Sequence, residues 1–325
     1  MASHQEIFRQ KSMNPSRDKS PGSLPVVLAF LTVYIVWGST YFFIRMALGG
    51  FPPFLLGGIR FLLAAFIMMA WAVWKKENLF DRSTMTSASI TGFFILFVGN
   101  GTVIFVEQYV GSAWVAIIIS AAPLWFVLYD KRHWKENFRS KSILTGLMLG
   151  LVGIFLLFLP NITSTYNTDR NPYEHIALFA IILSSMSWVV GSLYAKYNRT
   201  QAPATVNTSW QMFFAGLYFF TGAVFNGEFK KFQLTSVSFD AWFALGYLIV
   251  FGSILAYSCY VWLMEVRSPA QVSTYAYINP VVAVLLGVFL ASEHINALQV
   301  AGLLVILISV LLINLNKYLK KPGLA

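Results

Sequence analysis

Residues 142–159 read SILTGLMLGLVGIFLLFL, an uninterrupted apolar run that contains no charged side chain. A helix of about 20 apolar residues crosses the ~30 Å hydrocarbon core of a bilayer. A transmembrane β-barrel would instead show alternating polar and apolar positions in segments of about ten residues. This stretch therefore predicts a membrane-spanning helix.

Runs of the same kind follow one another along most of the 325 residues, separated by short polar connections. They predict an all-α integral membrane protein with ten transmembrane helices. Several runs begin beside a proline, which suits a first helical turn because the missing N–H would be unbonded there. The predicted spans are 26–48, 54–74, 88–107, 112–130, 142–159, 173–196, 204–224, 240–264, 270–290 and 297–316.

The composition excludes several classes of protein. Apolar residues make up 57 % of the chain and charged residues 11 %, whereas a soluble domain carries about 25 % charged residues. This apolar surface is too large for one soluble core, and a disordered protein would need low hydrophobicity. The net charge of +10 could suggest nucleic acid. The charges cluster in the connections between apolar runs, however, so we expect a lipid bilayer and no nucleic acid as partner.

The basic residues fall mainly on alternate connections, as expected for a membrane protein whose cytoplasmic loops are rich in Lys and Arg. With a cytoplasmic N-terminus, only Arg170, Lys230 and Lys231 of the 23 basic residues lie outside, and Arg45 and Arg60 lie within spans. This bias predicts that both termini are cytoplasmic. Residues 1–24 are then a disordered cytoplasmic tail, and residues 318–325 form a second cytoplasmic tail.

The second half of the sequence repeats the first, weakly but in order. Each half holds five predicted spans, an odd number, so the second copy enters the membrane from the opposite side. Such inverted-topology repeats build many secondary transporters, with the substrate site near the midplane between them. The predicted repeats are residues 25–160 and 172–317. The matches pair Gly38-Ser39-Thr40-Tyr41 with Gly191-Ser192-Leu193-Tyr194, Arg60 with Gln211, Asn100 with Tyr257, and Pro123 with Pro280.

Several stretches also carry a family resemblance. They are Trp37-Gly38-Ser39-Thr40-Tyr41, Pro52-Pro53 with Arg60-Phe61, Gly99-Asn100-Gly101, and Ser268-Pro269-Ala270 through Tyr275-Ala276-Tyr277-Ile278-Asn279-Pro280-Val281-Val282, followed by Glu293. On these residues the chain resembles the EamA-domain drug/metabolite transporters, the ten-helix exporter branch of that superfamily, and within it the PecM-like subgroup. The resemblance implies export of small organic metabolites, such as amino acids, pigments, purines or toxic compounds, across a bacterial inner membrane.

Polar and aromatic side chains at mid-depth form the candidate substrate-binding set. Buried Tyr, Trp and Asn need partners for their N–H and O–H groups, so a cavity lined by them suits a neutral, zwitterionic or aromatic solute. Hydrogen bonding between helices explains each residue alone at least as well, but the set as a whole favours a pathway. It comprises Trp37, Ser39, Tyr41, Arg60, Asn100, Trp188, Ser192, Tyr257, Tyr260, Tyr275, Tyr277 and Asn279.

Charged residues near the span ends are the candidate gating and coupling residues. We expect Glu107 to pair with Arg45 or Arg60 at an outer gate, and Lys196 and Glu265 to mirror that pair at the inner face. Alternating access needs one closure on each side of the site. Snorkelling to the interface explains Arg45 and Glu107 slightly better than a gate does, and Lys196 and Glu265 are better explained as ordinary charges at loop edges.

Two prolines are candidate hinges. Pro123 and Pro280 lie about halfway along the fourth and ninth predicted spans. Proline inside a helix frees a backbone carbonyl and bends the helix, so each residue either permits bending during a transport cycle or fixes a static kink.

The sequence contains no GxxxxGK[ST] phosphate loop, so no ATP motor is expected within it. Its four histidines show no metal-ligand spacing, and Cys259 is the single cysteine. We therefore expect a secondary transporter without cofactor or metal, coupled to protons through Glu107 or working as a uniporter. A passive facilitator or channel is the main alternative, and a lipid-modifying intramembrane enzyme a weaker one. Substrate identity and oligomeric state stay open.

Overall fold

The computed structural model describes residues 22–109, 112–165, 174–291 and 296–319. All regular secondary structure in these ranges is helical. The predicted tails 1–24 and 318–325 lie outside the described ranges, apart from residues 22–24 and 318–319. Of these, residues 23–24 and 318–319 belong to the first and last helices.

Fourteen α-helices follow one another in the described ranges when the two that continue through π-helical turns are each taken as one, and the short 3-10 helices Lys131–His133 and Leu234–Ser236 lie between them. In the first half, α1 is Ser23–Leu48, α2 is Pro53–Trp74, α3 is Arg82–Val106, α4 is Ser112–Ile119, α5 is Ala122–Tyr129, α6 is Trp134–Arg139 and α7 is Lys141–Thr165. In the second half, α8 is Glu174–Tyr197, α9 is Ala204–Phe225, α10 is Glu228–Lys231, α11 is Phe239–Val266, α12 is Pro269–Val272, α13 is Tyr275–Ala291 and α14 is Ala297–Leu319.

Seven of the helices in the described ranges are long and apolar enough to cross a membrane, namely α1, α2, α3, α7, α8, α11 and α14. The other three predicted spans take a different form. Helix α9 has 22 residues, but Asn207, Thr208 and Gln211 make its first half polar. The predicted spans 112–130 and 270–290 are each divided into two helices, α4 and α5 in the first and α12 and α13 in the second.

A proline explains the division of the span 112–130, and hydrogen bonds from two side-chain hydroxyls explain that of the span 270–290. Pro123 stands in the first turn of α5, where its ring and missing N–H are tolerated, whereas they would disrupt a continuous helix. The Ser273 hydroxyl donates to the carbonyl of Ala270 at 2.8 Å, and that of Thr274 to the carbonyl of Gln271 at 2.7 Å. Such local bonds compete with the helical ladder, and α12 ends just before them.

Helices α3 and α11 share an unusual feature at mid-length. Each contains a π-helical segment of 9 residues, Gly92–Asn100 in α3 and Leu248–Ala256 in α11. π-Helical turns are rare, and they occur frequently at functional sites. Both segments face the interior of the bundle, where they supply residues to its central cavity.

The long helices pack in a regular arrangement. Helix α2 lies along α9, and α7 lies along α14. Helix α1 packs against α11 and α13, while α8 packs against α3 and α4. Glycines allow the closest approaches, as small residues do in membrane bundles. A Cβ atom added at Gly302 of α14 would lie only 2.8 Å from the Gly153 carbonyl oxygen of α7.

A buried carboxylate ties the connection after α9 to the start of α2. Glu228 accepts hydrogen bonds from the backbone N–H groups of Leu55, at 2.8 Å, and Phe54, at 3.3 Å. These are among the donors that a helix N-terminus leaves without intrahelical partners. Burial raises the pKa of the Glu228 carboxyl, although the two N–H donors oppose that rise.

Candidate functional site

A cavity lies at the centre of the bundle, among α1, α2, α3, α8, α11 and α13. It offers about 80 Å³ to the centres of water-sized molecules, and a buried water needs about 10–15 Å³ by that measure. The cavity therefore has room for several waters or a small solute. Eight residues of the predicted substrate-binding set line it: Trp37, Tyr41, Arg60, Asn100, Trp188, Tyr257, Tyr275 and Asn279.

The other four predicted residues lie elsewhere. Ser39 contacts the Tyr247 hydroxyl at 2.7 Å, and Tyr277 donates to the carbonyl of Leu147 at 3.0 Å. Each is two positions from a lining residue, and a helix turns about 100° per residue, so each side chain leaves the helix on the opposite face. Ser192 and Tyr260 border a second, larger space instead. Ser39 and Tyr277 therefore do not line this cavity, and a role for them in substrate binding stays a prediction.

Several lining residues were missed in the sequence. Ser184, Ser185 and Ser253 add hydroxyls to the wall, and Gly99 and Gly252 bring backbone to it. Ser184 precedes Trp188 by four residues, and Ser253 precedes Tyr257 by four. Residues four apart lie on the same helix face, so this spacing around the aromatic residues was the available signal.

Arg60 is the one cation among the residues that line the cavity, and the described lining includes no acidic residue. It is only 3 % exposed. Its Nε donates to Ser253 Oγ at 2.8 Å, and its Nη1 donates to Asn100 Oδ1 at 3.4 Å. Both acceptors belong to the π-helical segments, so α3 and α11 together hold the guanidinium of α2 in place.

An aromatic cluster forms one wall of the cavity. Trp37 packs edge-to-face against Trp188, with centroids 5.4 Å apart, and against Tyr275 at 5.1 Å. Tyr260 lies 5.0 Å from Trp37 and 5.6 Å from Trp188. The Trp37 indole N–H donates to the carbonyl of Gly252 at 3.3 Å. These contacts hold the rings of Trp37, Trp188 and Tyr275 in the cavity wall, and Tyr260 packs behind them on the side of a second space.

Two polar atoms that belong to lining residues are buried without a hydrogen-bond partner among the described residues: Ser185 Oγ and Asn279 Oδ1. Buried polar atoms are normally satisfied, and an exception calls for an explanation such as a bound molecule. Asn279 Oδ1 can only accept, while the Ser185 hydroxyl can donate or accept. The cavity therefore offers hydrogen-bonding capacity that the folded chain leaves unused.

A layer of hydrogen-bonded side chains separates this cavity from a vestibule among α8, α9 and α11. The vestibule offers about 690 Å³. Tyr257, which lines the cavity, donates to Gln211 Oε1, which lines the vestibule, at 2.6 Å. The indole N–H of Trp188, on the cavity side, donates at 3.0 Å to the hydroxyl of Tyr260, on the vestibule side. We call these four residues the barrier layer.

The predicted outer ion pair is not formed in the described part of the chain, where the single ion pair joins His133 and Asp130. Glu107 is 8 % exposed, and neither of its carboxylate oxygens has a hydrogen-bond partner there. Arg45 acts on it electrostatically, but over more than ion-pair distance. Glu107 follows the last residue of α3.

The predicted inner ion pair between Lys196 and Glu265 is also not among the contacts that the structure describes. Lys196 Nζ instead donates to the backbone carbonyls of Met264, at 2.5 Å, and Arg267, at 2.8 Å. Helix α11 ends at Val266, and a helix leaves its last carbonyls without intrahelical partners. Lys196 satisfies these acceptors.

A polar cluster near Lys196 connects α5 with α8. The Tyr197 hydroxyl donates to the Asp130 carboxylate, which also contacts His133 Nδ1 at 2.9 Å. The guanidinium of Arg132 lies 4.1 Å from the centre of the Tyr197 ring. This cluster lies at the same end of the bundle as the vestibule, because Lys196 and Arg199 on either side of Tyr197 line that space.

No group of three or more His, Cys, Asp or Glu residues in the described ranges is placed to hold a metal ion.

Comparisons with known proteins agree with this architecture. The profile of the EamA-like transporter family matches residues 24–159 and again residues 175–315. The uncharacterized inner membrane transporter YedA of Escherichia coli K12 is 34 % identical, over 93 % of this chain and 95 % of its own length. A probable amino-acid metabolite efflux pump of the same organism is 23 % identical, over 86 % of this chain and 91 % of its own. One solved crystal structure has a TM-score of 0.73 at 16 % identity, over 92 % of this chain and 100 % of the other.

Proposed function

The chain belongs to the EamA-like transporter family, and we propose that it exports small organic metabolites through the central cavity by alternating access. It is a multi-pass protein of the inner membrane. The observation that carries the proposal is a polar and aromatic cavity in the middle of the bundle, divided from a larger vestibule by hydrogen-bonded side chains. The names of its relatives are those of transporters, not of enzymes.

The proposed architecture has ten spans in two five-helix repeats of opposite orientation, with both termini in the cytoplasm. Two features support it. The family profile matches the two halves separately. The packing also has a two-fold pattern: α1 contacts α11 and α13, and α8, its counterpart in the second repeat, contacts α3 and α4. Helices α2 and α9, which correspond to each other, pack together, as do α7 and α14.

The repeat relation also links two hydrogen bonds. Arg60 and Asn100 in the first half correspond to Gln211 and Tyr257 in the second, and each pair is hydrogen-bonded. With inverted repeats, one pair lies toward the outer face and the other toward the inner face. We propose that opening the cavity to the vestibule breaks the Gln211–Tyr257 bond. Pro123 and Pro280 are the proposed hinges for the accompanying helix movements.

The direct test is solute uptake into proteoliposomes that contain the purified protein. Labelled amino acids, aromatic metabolites, purines and cationic drugs would be screened. Trp37→Ala removes a wall of the cavity and should abolish uptake of any solute that the wild type carries. Trp74→Ala is the matched control because Trp74 is 68 % exposed at the end of α2. Uptake that survives Trp37→Ala at the wild-type rate would contradict transport through this cavity.

Coupling to protons through Glu107 remains a proposal beside uniport. Intramembrane carboxylates often mark proton pathways, and the unpartnered carboxylate of Glu107 supports this role. If protons are coupled here, Glu107→Gln should abolish concentrative transport and its response to a pH gradient. Asp240→Asn, at the exposed start of α11, should leave both unchanged. Concentrative transport by Glu107→Gln with an unaltered pH response would favour another coupling site.

A further inference from the structure

The guanidinium of Arg60 has no counter-ion in the described part of the chain. The single ion pair there is formed by His133 and Asp130, and the described lining of the cavity contains no acidic side chain. A buried charge without a partner is strongly unfavourable, and an ionisable residue within a span is most often functional. Arg60 has two hydrogen-bond acceptors, and the centre of the Phe61 ring lies 4.9 Å from its Cζ, but no described side chain supplies a negative charge to balance it.

The fold itself does not require a charge at this position. The corresponding residue of the second half, Gln211, is neutral, is 1 % exposed, and bonds to Tyr257 as Arg60 bonds to Asn100. A glutamine thus serves the same structural contact between the second and third helices of a repeat. What distinguishes Arg60 is its positive charge, which it directs to the cavity.

Part of the guanidinium is left available to a ligand. Nε and Nη1 are engaged by Ser253 and Asn100, whereas no hydrogen bond from Nη2 to a described residue is formed. Gly252 lies directly beside Nη2, and a Cβ atom added there would lie only 3.0 Å from that nitrogen, so any larger residue at this position would crowd it. A planar guanidinium with free N–H donors is suited to a carboxylate.

The rest of the cavity limits the ligand further. Asn279 Oδ1 and Ser185 Oγ are buried, unpartnered and available to a donor group. The aromatic faces of Trp37, Trp188 and Tyr275 suit an apolar or aromatic body. Arg60 is the single basic residue in the described lining. Its one positive charge matches a ligand with one negative charge better than a phosphate or a dicarboxylate, which carries two.

We propose that the transported solute is a monocarboxylate whose carboxylate binds Arg60 and whose amino or hydroxyl group donates to Asn279. Neutral amino acids and hydroxy acids with apolar side chains belong to this class, whereas cationic drugs do not. The inference rests on the proposed transport function, and it narrows the substrate class of the same cavity.

The test measures binding in detergent by thermal shift, with phenylalanine, 3-phenyllactate and phenylalaninamide as probes. These share one aromatic body, and only the amide lacks a carboxylate. A ligand that binds the folded state raises the melting temperature by mass action. The two acids should bind wild type at least about tenfold more tightly than the amide, because a hydrogen bond to a charged group contributes at least the free energy that corresponds to a tenfold change in affinity.

Variants separate the role of Arg60 from a general effect on folding. Arg60→Gln and Gly252→Ala should both remove the preference for the acids, the second by crowding Nη2 while retaining the charge. Arg139→Gln, an exposed arginine at the end of α6, should keep the preference. Equal binding of acid and amide by wild type, or an unaltered preference in Arg60→Gln, would overturn the assignment. No shift by either acid at millimolar concentration would overturn it too.

The transport screen distinguishes failure of this inference from failure of the proposed function. If the protein transports solutes that lack a carboxylate, and Arg60→Gln transports them equally well, the transport function stands and the carboxylate assignment fails. If folded wild type transports none of the solutes in the screen, the proposed function fails as well.

Discussion

Removal of one hydroxyl from the barrier layer should open the cavity toward the vestibule. Tyr257→Phe deletes the group that donates to Gln211 Oε1 at 2.6 Å and keeps the ring, which lies 6.2 Å from Tyr260 and 6.5 Å from Trp188. Tyr257 and Gln211 are 2 % and 1 % exposed. While the barrier layer is closed, Gln211 Oε1 would therefore stay buried without its Tyr257 donor. When the layer opens to the vestibule, water would hydrate that oxygen.

The expected shift toward the open state follows from the cost of leaving Gln211 Oε1 buried without a donor. A buried hydrogen bond contributes about 0.5–1.5 kcal/mol net, and an acceptor left buried and unsatisfied costs about 1–3 kcal/mol. A destabilisation of the closed state by about 1–2 kcal/mol is an increase of roughly five- to thirtyfold in the ratio of open to closed molecules. The increase should appear on the vestibule side only.

Cysteine accessibility measures this ratio directly. Because Cys259 is the single cysteine, a Cys259→Ser background with Ser185→Cys places one thiol in the cavity wall. A membrane-impermeant maleimide added from the vestibule side should label it about five- to thirtyfold faster when Tyr257→Phe is added, if labelling follows the open population.

The matched control is Tyr218→Phe. It also loses a hydroxyl contact of 2.6 Å, between Tyr218 and Ser89, but at a position away from the barrier layer. Equal labelling rates with Tyr257→Phe and Tyr218→Phe would refute the role of Tyr257 in closing the cavity toward the vestibule.

Two further predictions concern stability. Gly302→Ala should destabilise the protein by about 1–3 kcal/mol, as overpacking does, because the new Cβ would lie 2.7 Å from Leu157 N and 2.8 Å from Gly153 O. Gly246→Ala, whose Cβ meets nothing within 4 Å, should instead stabilise α11 by about 0.5–1 kcal/mol. Equal unfolding midpoints in denaturant for the two variants would contradict the close contact of α7 with α14. Burial raises the pKa of Glu228, so the folded state holds this proton more tightly than the unfolded chain. The contribution of Glu228 to stability should fall as pH rises from the ordinary glutamate pKa through the raised one. Thermal melts should show this decline in wild type but not in Glu228→Gln.

The helices could be predicted from the sequence because lipid imposes a simple rule on length and polarity. Residues 142–159 lie within α7, and the predicted span 54–74 differs from α2 by one residue. The start of α3 at Arg82, six residues before the predicted start at residue 88, depends on capping instead. Asp81 accepts from the backbone N–H of Thr84 at 2.8 Å, a polar signal that hydropathy does not register.

The site was less predictable, because the sequence shows which residues are polar but not which face of a helix carries them inward. Trp37 and Tyr41 are four residues apart and share the cavity, whereas Ser39 between them does not. The ion pairs were not predictable from charge alone either. Lys196 donates to backbone carbonyls at the end of α11. The positions of charged residues in a sequence do not reveal backbone acceptors of this kind.

The central claim is that one cavity is exposed alternately to the two sides of the membrane, as in a carrier. Counterflow tests it most directly: proteoliposomes loaded with unlabelled solute are diluted into a trace of the same labelled solute. A carrier should accumulate the label transiently above its equilibrium level, and Trp37→Ala should lose that overshoot. A channel or passive facilitator would let the label equilibrate without an overshoot, and that result for wild type would contradict alternating access.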